Sequence, residues 1–548
     1  MTDRYETLVP KPNEARAAAG EFELGPDTVL VADDLAAADA VRLLLTTLRL
    51  PLRPASQAAR NAVTVRIDRT VGGPETFQLK VTTDGVTIVG ADLDGVWHAT
   101  QVLKQLLPDD AWRAVGRRGT AWRVPAGEVA DSPALWWRGG MLDVSRHFFP
   151  KRTLLRYVDL LAMHRMNHLH LHLTDDQGWR IESRLHPEVH EQGSHRPYTQ
   201  AGRDRSAGRN DGTPHGGFYT LDDLSEVTTY AAERGVTIVP EIDLPGHSSA
   251  LLASHPEFGI GDHQVLTGWG ISSGVLKPTP PTFEFVAELV GELVEAIPTG
   301  YVHLGGDECV MKDWATDPEV TAYLAEVGLS QHEELHGHFL RALGGRLTEL
   351  GTRMVVWDEA FVTGGLLEDS IVMAWRGDGV ARRAAAAGYD VVRAPVFPTY
   401  LNYDQSDSPD EPLSQGGPIL LSEVAEWEPL PSEWSEAERA HVLGGQFQAW
   451  SEYIPNERHL DYLMFPRASV LADVVWRGGP AVDLRLDAHL GRLAAAGVEF
   501  RPFEGSHPWQ RGGTGDRRRQ TGSTMDAERA HHEEISVVAD VVTTTGAH

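Results

Sequence analysis

The stretch YVHLGGDE, residues 301–308, joins an apolar run to two glycines and two adjacent carboxylates. Glycine permits a sharp turn and the close approach of a ligand. Because successive strand side chains point to opposite faces, Asp307 and Glu308 reach one ligand only if the chain bends at the glycine pair. Two carboxylates at a strand end suit glycosidic bond cleavage, in which one protonates the leaving oxygen. Taken alone, the pair is also compatible with a solvated loop.

From about Pro133, strand-like apolar runs alternate with helical segments, a pattern typical of βα units and a parallel sheet. The eight predicted strands are 136–144, 167–173, 236–242, 301–304, 354–357, 371–375, 391–396 and 442–450. The predicted helices between them include 151–165, 221–234, 282–297 and 331–350. Eight such units predict a (β/α)8 TIM barrel, a fold whose active site lies at the C-terminal ends of the strands.

The fold class is therefore α/β, with a small α+β domain before the barrel. Strand-like alternation within 22–131, followed by a helical run at 94–107, predicts that first domain. We assign residues 1–132 to the N-terminal α+β domain and 133–503 to the catalytic barrel, which ends in a closing helix at 482–495. Residues 504–548 are rich in Gly, Arg, Thr and His and are predicted to be a disordered tail.

Composition narrows the possible partners. The 548 residues carry a formal net charge of −29, which disfavours binding to nucleic-acid phosphates or anionic membranes. The single cysteine, Cys309, excludes an internal disulfide. The opening MTDRYETLVPKP lacks an apolar h-region, so a cytoplasmic location is expected, with secretion left open. The oligomeric state stays undetermined.

Residues at the predicted strand ends are of the types that bind sugars. They are Arg146, Asp175, Asp176, Asp243, His247, Asp307, Glu308, Trp357, Asp358, Trp375, Tyr400, Asn402, Trp450 and Glu452. Indole rings offer flat apolar faces to a pyranose, while carboxylates and arginine bind its hydroxyls. Core packing is the alternative for any single tryptophan. The whole set at one face predicts a carbohydrate enzyme.

Two patterns involve histidine. Asp175 and His247 can form a relay that orients a third group, Glu308. His168, His170 and His172 alternate along the second predicted strand, as a metal site might require. No coherent fourth ligand accompanies them, so we predict structural roles and neither a metal nor another cofactor.

Several motifs carry a family resemblance. They are MLDVSRHF (141–148), HLHLTDDQGWR (170–180), VPEIDLPGHS (239–248), HLGGDE (303–308), VVWDE (355–359), MAWRG (373–377), YLN (400–402) and GGQFQAWSEY (444–453). In this order they resemble the family 20 glycoside hydrolases, the β-N-acetylhexosaminidases. Region 22–131, including GVWHATQVLKQLLP at 95–108, resembles the N-terminal domain of that family.

The resemblance implies an exo-acting retaining enzyme in which the substrate's acetamido oxygen attacks the anomeric carbon and forms an oxazolinium intermediate. It implies that Glu308 is the general acid and then the base, and that Asp307 polarises the acetamido nitrogen. The remaining implied roles are a hydrogen bond to the acetamido carbonyl from Tyr400, a relay of Asp175 and His247, cavity walls of Trp357, Trp375 and Trp450, and hydroxyl binding by Arg146, Glu452 and Asn402. Many relatives carry Asp where this chain has Asn402, which leaves gluco versus galacto preference open.

The implied substrate is an oligosaccharide or glycoconjugate with a terminal β-GlcNAc or β-GalNAc, of unspecified linkage. Three alternatives stay open at this point: a carbohydrate-binding protein with little turnover, a disaccharide-releasing member of the same family, and a transglycosylase.

Overall fold

The computed structural model describes residues 3–511 except 52, 57–59, 116–119 and 484. Its strands are β1 (Glu14–Leu24), β2 (Val29–Ala32), β3 (Arg53–Pro54), β4 (Ala62–Ile67), β5 (Phe77–Thr82), β6 (Gly85–Gly90), β7 (Trp122–Asp131), β8 (Trp137–Asp143), β9 (His168–His172), β10 (Thr174–Asp175), β11 (Gly178–Trp179), β12 (His195–Arg196), β13 (His215–Gly216), β14 (Thr237–Glu241), β15 (Tyr301–His303), β16 (Arg353–Trp357), β17 (Ile371–Ala374), β18 (Asp390–Arg393) and β19 (Val442–Phe447).

The helices are α1 (Leu35–Thr46), α2 (Leu93–Leu106), α3 (Lys151–Met163), α4 (Pro187–Gly193), α5 (Leu221–Ala232), α6 (Ser249–Leu252), α7 (Pro280–Ala296), α8 (Pro318–Glu326), α9 (Glu334–Glu349), α10 (Asp358–Thr363), α11 (Asp378–Ala386), α12 (Val396–Thr399), α13 (Leu421–Glu426), α14 (Glu436–Ala440), α15 (Glu457–Met464), α16 (Arg467–Arg477) and α17 (Leu486–Ala495). Among the described residues, none of these helices combines the length and apolar character needed to cross a membrane.

Eight parallel strands close the barrel in the order β8, β9, β14, β15, β16, β17, β18 and β19, and β19 pairs with β8. Each corresponds to one of the eight predicted strands, so the predicted barrel is confirmed. The main differences lie at the C-terminal ends. Strand β19, for example, stops at Phe447 rather than at residue 450. Strand β15 has only three residues, because Gly305 (φ 65°) and Gly306 (φ 95°) turn the chain away from its neighbours.

The N-terminal sheet has seven strands in the order β1, β7, β5, β6, β4, β2 and β3. Helices α1 and α2 pack on it and on each other. Asp92 begins α2 by accepting a hydrogen bond from the backbone N–H of Gly95 at 2.8 Å, as an N-cap residue does. Buried ion pairs join this sheet to the barrel, among them Arg138 with Glu75 and Arg165 with Asp131.

The three alternating histidines of β9 are buried among side chains from other strands of the barrel. His168 stacks on Trp137 with ring centroids 4.0 Å apart, and His170 stacks on His303 at 4.7 Å. His172 contacts Trp450 edge to face at 4.8 Å. The period of two places the three histidines on one face of β9, and these contacts show that this face is the barrel interior.

After the barrel, α17 occupies most of the predicted closing helix. Part of the predicted disordered tail is ordered, because the buried Gln510 donates hydrogen bonds to the carbonyls of Glu499 and Phe500. Residues 512–548 of that predicted tail lie outside the described residues.

Candidate active site

The bend at Gly305 and Gly306 brings both carboxylates to the C-terminal mouth of the barrel. The backbone amide of Gly306 donates to Asp243 Oδ1 at 3.2 Å, which fixes the turn. A Cβ on Gly305 would lie only 1.7 Å from that same oxygen. His247 Nε2 then lies 3.5 Å from Glu308 Oε2 and 3.9 Å from Asp307 Oδ2. One imidazole therefore faces both carboxylates, and the convergence expected from the glycine pair occurs.

A cavity of about 210 Å³ opens at this mouth. Its lining consists of Arg146, Asp243, His247, Asp307, Glu308, Trp375, Val396, Tyr400, Asn402, Tyr403, Gln415, Trp450 and Glu452. Nine of the eleven predicted catalytic and substrate-binding residues are in this lining. The other two, Asp175 and Trp357, lie behind it. Drug-sized ligands occupy cavities of roughly 300–1,000 Å³, so this smaller volume suits a ligand such as one sugar ring.

The two carboxylates have different surroundings. Asp307 is buried, and its Oδ1 has no hydrogen-bond partner among the described residues. Burial, reinforced by the charge of Glu308 and opposed by His247, raises the pKa of Asp307 to about 6. The Glu308 side chain is 35% exposed, so it is accessible to water and to a leaving group. The pair thus offers one buried acceptor and one accessible acid or base.

The predicted relay is assembled behind the cavity. His247 Nδ1 lies 3.2 Å from Asp175 Oδ1 and 3.4 Å from Asp176 Oδ2. Burial lowers the pKa of His247, but Asp175 and Asp243 outweigh it and hold that pKa well above its usual range. An imidazolium at this position can donate to Asp175 from one nitrogen and to Glu308 from the other.

Arg146 is both a lining residue and a support. Its Nε donates to Gln177 at 3.1 Å, its Nη1 to Asp143 at 3.3 Å, and its Nη2 lies 2.7 Å from Asp175 Oδ2. Each nitrogen thus has one protein partner. A guanidinium carries five N–H donors, so two remain for the hydroxyls of a ligand.

Aromatic side chains form walls of the cavity, but one of the three predicted tryptophans is not among them. Trp375 and Trp450 line the cavity, and Trp375 Nε1 donates to Glu359 at 2.9 Å. Contrary to the prediction, Trp357 does not line it. Trp357 is 1% exposed, lies beneath Trp450 at a ring distance of 6.0 Å, and donates through Nε1 to Glu241. Trp357 is the last residue of β16, and its indole lies in the buried layer of side chains beneath the cavity.

Two buried polar groups are free to receive a ligand. Asn402 Oδ1 and Glu452 Oε2 line the cavity and have no hydrogen-bond partner among the described residues. Burial raises the pKa of Glu452, although Arg146 opposes that effect. A buried polar atom without a hydrogen-bond partner costs free energy, so we expect hydroxyls of a bound molecule to supply the missing hydrogen bonds.

Sequence reasoning missed several supporting residues. Glu241 at the end of β14 contacts His170, His172 and Trp357, and Gln177 holds Arg146. The one available signal for Glu241 is a charged residue in an otherwise apolar strand. His170, Glu241 and His303 have possible metal-ligand atoms within 4.8 Å of one another, but hydrogen bonds link His170 and His172 to Glu241.

The barrel and its carboxylate pair place the chain among the glycoside hydrolases. The model of the glycosyl hydrolase family 20 catalytic domain matches residues 136–479, and the model of domain 2 of that family matches 5–132. The chain belongs to glycosyl hydrolase family 20, and the predicted family and enzyme class, β-N-acetylhexosaminidase, are confirmed.

Characterised relatives agree with this assignment. The chain is 30% identical to the beta-hexosaminidase of Porphyromonas gingivalis, over 94% of this chain and 66% of that protein. It is 32% identical to the beta-hexosaminidase of Vibrio furnissii, over 88% of this chain and 77% of that one. The beta-N-acetylhexosaminidase of Cellulomonas fimi is 30% identical over 89% and 92%.

Solved structures show the same fold. The exo-β-N-acetylglucosaminidase of Vibrio harveyi, in complex with N-acetylglucosamine, superposes with a TM-score of 0.80 at 29% identity, covering 91% of this chain and 78% of that one. The β-N-acetylhexosaminidase of Streptomyces coelicolor superposes with a TM-score of 0.76 at 28% identity, covering 90% and 97%.

Proposed function

We propose that this chain removes terminal β-linked N-acetylhexosamine units from oligosaccharides or glycoconjugates, with retention, and that the acetamido group of the substrate is the nucleophile. The observation that carries the proposal is the buried Oδ1 of Asp307, which has no hydrogen-bond partner among the described residues, beside the accessible Glu308. The first is suited to receive an amide N–H, and the second is suited to protonate the leaving oxygen.

The arrangement of the carboxylates favours substrate assistance over a protein nucleophile. An ordinary retaining enzyme places its two carboxyl groups about 5–5.5 Å apart on opposite faces of the sugar. Here one imidazole contacts both groups, so they share one side of the cavity. An acetamido oxygen held against the anomeric carbon benefits from effective molarity, up to roughly 7–11 kcal/mol of the barrier in ideal cases.

The chain's residues divide the remaining tasks. Asp307 stabilises the positive charge that develops on the amide nitrogen, an electrostatic contribution made in the transition state. Tyr400 lines the cavity and is placed to hydrogen-bond the acetamido carbonyl. Arg146, Asn402 and Glu452 bind the ring hydroxyls.

The substrate is a terminal N-acetylhexosamine. The Vibrio harveyi relative and a Streptomyces plicatus relative hold N-acetylglucosamine in their structures. The volume of about 210 Å³ is consistent with release of one sugar at a time.

The test is a series of aryl glycosides whose N-acetyl group carries none, one, two or three fluorines. Fluorine withdraws electrons from the attacking carbonyl, so kcat should fall steeply along the series. A flat series, or a sugar trapped covalently on Asp307 or Glu308, would contradict substrate assistance. If no member of the series releases its aryl group, including the unfluorinated glycoside, the proposed activity itself is contradicted.

A further inference from the structure

A buried carboxylate that the reaction does not touch lies beneath the cavity. Glu241 is fully buried, and its Oε2 contacts His170 Nε2 at 3.0 Å and His172 Nδ1. Its Oε1 accepts from Trp357 Nε1 at 2.8 Å and lies 3.0 Å from His303 Nδ1. These four residues lie on β9, β15 and β16, so the side chain of Glu241 contacts three strands.

The hydrogen-bond partners of the two nearest histidines indicate where their protons lie. His172 lies between two carboxylates, with Nδ1 on Glu241 and Nε2 2.8 Å from Asp175 Oδ2. An ionised carboxylate only accepts, so with Glu241 and Asp175 both ionised both nitrogens of His172 donate and the ring is an imidazolium.

His170 differs, because it is held as a neutral ring. Trp137 Nε1 donates to Gln446 Oε1 at 3.2 Å, which turns the amide nitrogen of Gln446 towards His170 Nδ1 at 3.0 Å. His170 Nδ1 therefore accepts, and its Nε2–H donates to Glu241.

A row of alternating charges therefore runs from the barrel interior to the proposed acid. It passes from Glu241 to His172, then to Asp175, His247 and Glu308. We propose that Glu241 is a positioning residue, whose negative charge keeps His172 doubly protonated so that Asp175 and His247 stay aimed at Glu308. The inference rests on the proposed role of Glu308.

Other charged groups act on this row. The carboxylates around His172 are Glu241, Asp175 and Asp143, and Asp175 also faces Arg146. The carboxylates around His247, besides Asp175, are Asp176, Asp243, Asp307 and Glu308. Glu241 also faces His170 and His303. All but Glu241 remain in a Glu241→Gln variant. The variant removes one of the three carboxylates that face His172, and one of the two that are hydrogen-bonded to it.

The first test is Glu241→Gln with aryl N-acetyl-β-glucosaminides. Loss of the anion should let His172 release a proton at lower pH, after which one of its nitrogens no longer donates. The alkaline limb of the kcat profile should therefore move to lower pH. Removing such supporting partners costs about 10–100-fold in function, and we expect a kcat loss in this range, larger for poor leaving groups, with little change in KM.

The matched control is Glu75→Gln. Glu75 is also a buried carboxylate that contacts a histidine, His98 at 2.7 Å, and an arginine, but it lies in the N-terminal domain. This variant should lose stability and keep the wild-type pH profile. A Glu241→Gln enzyme that is folded and has the wild-type profile and kcat would overturn the proposal.

A second measurement needs no folded Glu241 variant. In wild-type protein labelled with ¹⁵N-histidine, the His172 resonances, assigned by their loss in His172→Asn, should report two protonated nitrogens at neutral pH. A neutral His172 ring would overturn the proposal. Failure of the wild type to release the aryl group would instead contradict the proposed function and leave the NMR result standing.

Discussion

Asp307 and Glu308 are neighbours in sequence, yet only one of them is exposed to solvent. The buried Asp307 has one oxygen without a hydrogen-bond partner in the described part of the chain, and Glu308 is accessible from the opening. Backbone geometry separates them: Glu308 has φ 46°, in the left-handed region that side chains avoid. Strain of this kind persists where the surrounding structure enforces it, often at functional positions.

Glu308→Gln should impair cleavage according to the leaving group. An acid matters most when the departing oxygen needs a proton, so 2,4-dinitrophenyl glycosides should lose least in the first step and alkyl glycosides most. Pre-steady-state release measures this directly. Equal loss for every leaving group would exclude Glu308 as the acid.

Asp307→Asn should lose turnover but gain stability. The folded pKa of about 6 exceeds the ordinary 3.8, so ionised Asp307 costs the folded state free energy at neutral pH. We expect the variant to raise the free energy of unfolding at pH 7 by about 1–3 kcal/mol, a gain that fades as pH falls through 6 towards 3.8.

Urea unfolding at several pH values measures this gain, and the exposed Asp262→Asn serves as the control. In the wild type, kcat/KM should fall as pH drops through about 6, since Asp307 then gains a proton. A variant no more stable than the wild type at neutral pH would contradict the assigned environment.

Arg146→Ala should weaken substrate binding and also disturb the relay. It removes two donors for hydroxyls and the partner of Asp175 at 2.7 Å. Hydrogen bonds to charged groups contribute roughly 1.5–3 kcal/mol each, so kcat/KM should fall at least about tenfold. Unchanged efficiency in a variant with wild-type circular dichroism would exclude both roles.

At the scale of the elements, apolar runs were sufficient to predict all eight barrel strands. Burial on both faces makes such strands recognisable without their partners. Their C-terminal ends were placed less well, since polar side chains that turn into the cavity end the pairing. The period of two placed His168, His170 and His172 on one face without showing which face it is, and the role of Glu241 depends on the pairing of β9 with β14, which the sequence does not show.

Gly305→Ala should disable the strand end on which both carboxylates depend. The new methyl group would meet Asp243 and would also require a left-handed residue, which alone costs roughly 1–2 kcal/mol. Gly351 has φ 73° and open space, so Gly351→Ala carries the backbone cost without the clash. Assay and thermal melting of both variants should show lost turnover only for Gly305→Ala; equal activity would contradict this account.

At the scale of the whole molecule, buried polar contacts tie the N-terminal sheet to the barrel. Asp131, at the end of β7, accepts from Arg165 Nη1 at 2.5 Å and from Trp476 Nε1 at 3.0 Å. These partners are 34 and 345 residues away in the chain, so sequence patterns gave no sign of them. The domain boundaries at 132/133 and 503/504 stay predictions.

Asp131→Ala should destabilise the whole chain while leaving the folded enzyme active. Removing one partner of a buried ion pair costs about 3–5 kcal/mol, because the buried Arg165 loses its ion-pair partner. Calorimetry should show a lower Tm, and kcat per folded molecule should match the wild type. A variant that melts with the wild type would show that this contact does not join the two parts.

The small cavity also determines how a long glycan is degraded. Arg146, Asn402 and Glu452 line a cavity of about 210 Å³, a volume that suits a small ligand such as one sugar ring. If the freed monosaccharide leaves by the opening through which it entered, the shortened chain has to dissociate and return after every cleavage. We therefore expect distributive digestion: a uniform oligosaccharide should pass through every intermediate length, and accumulating monosaccharide should compete with substrate for the same opening.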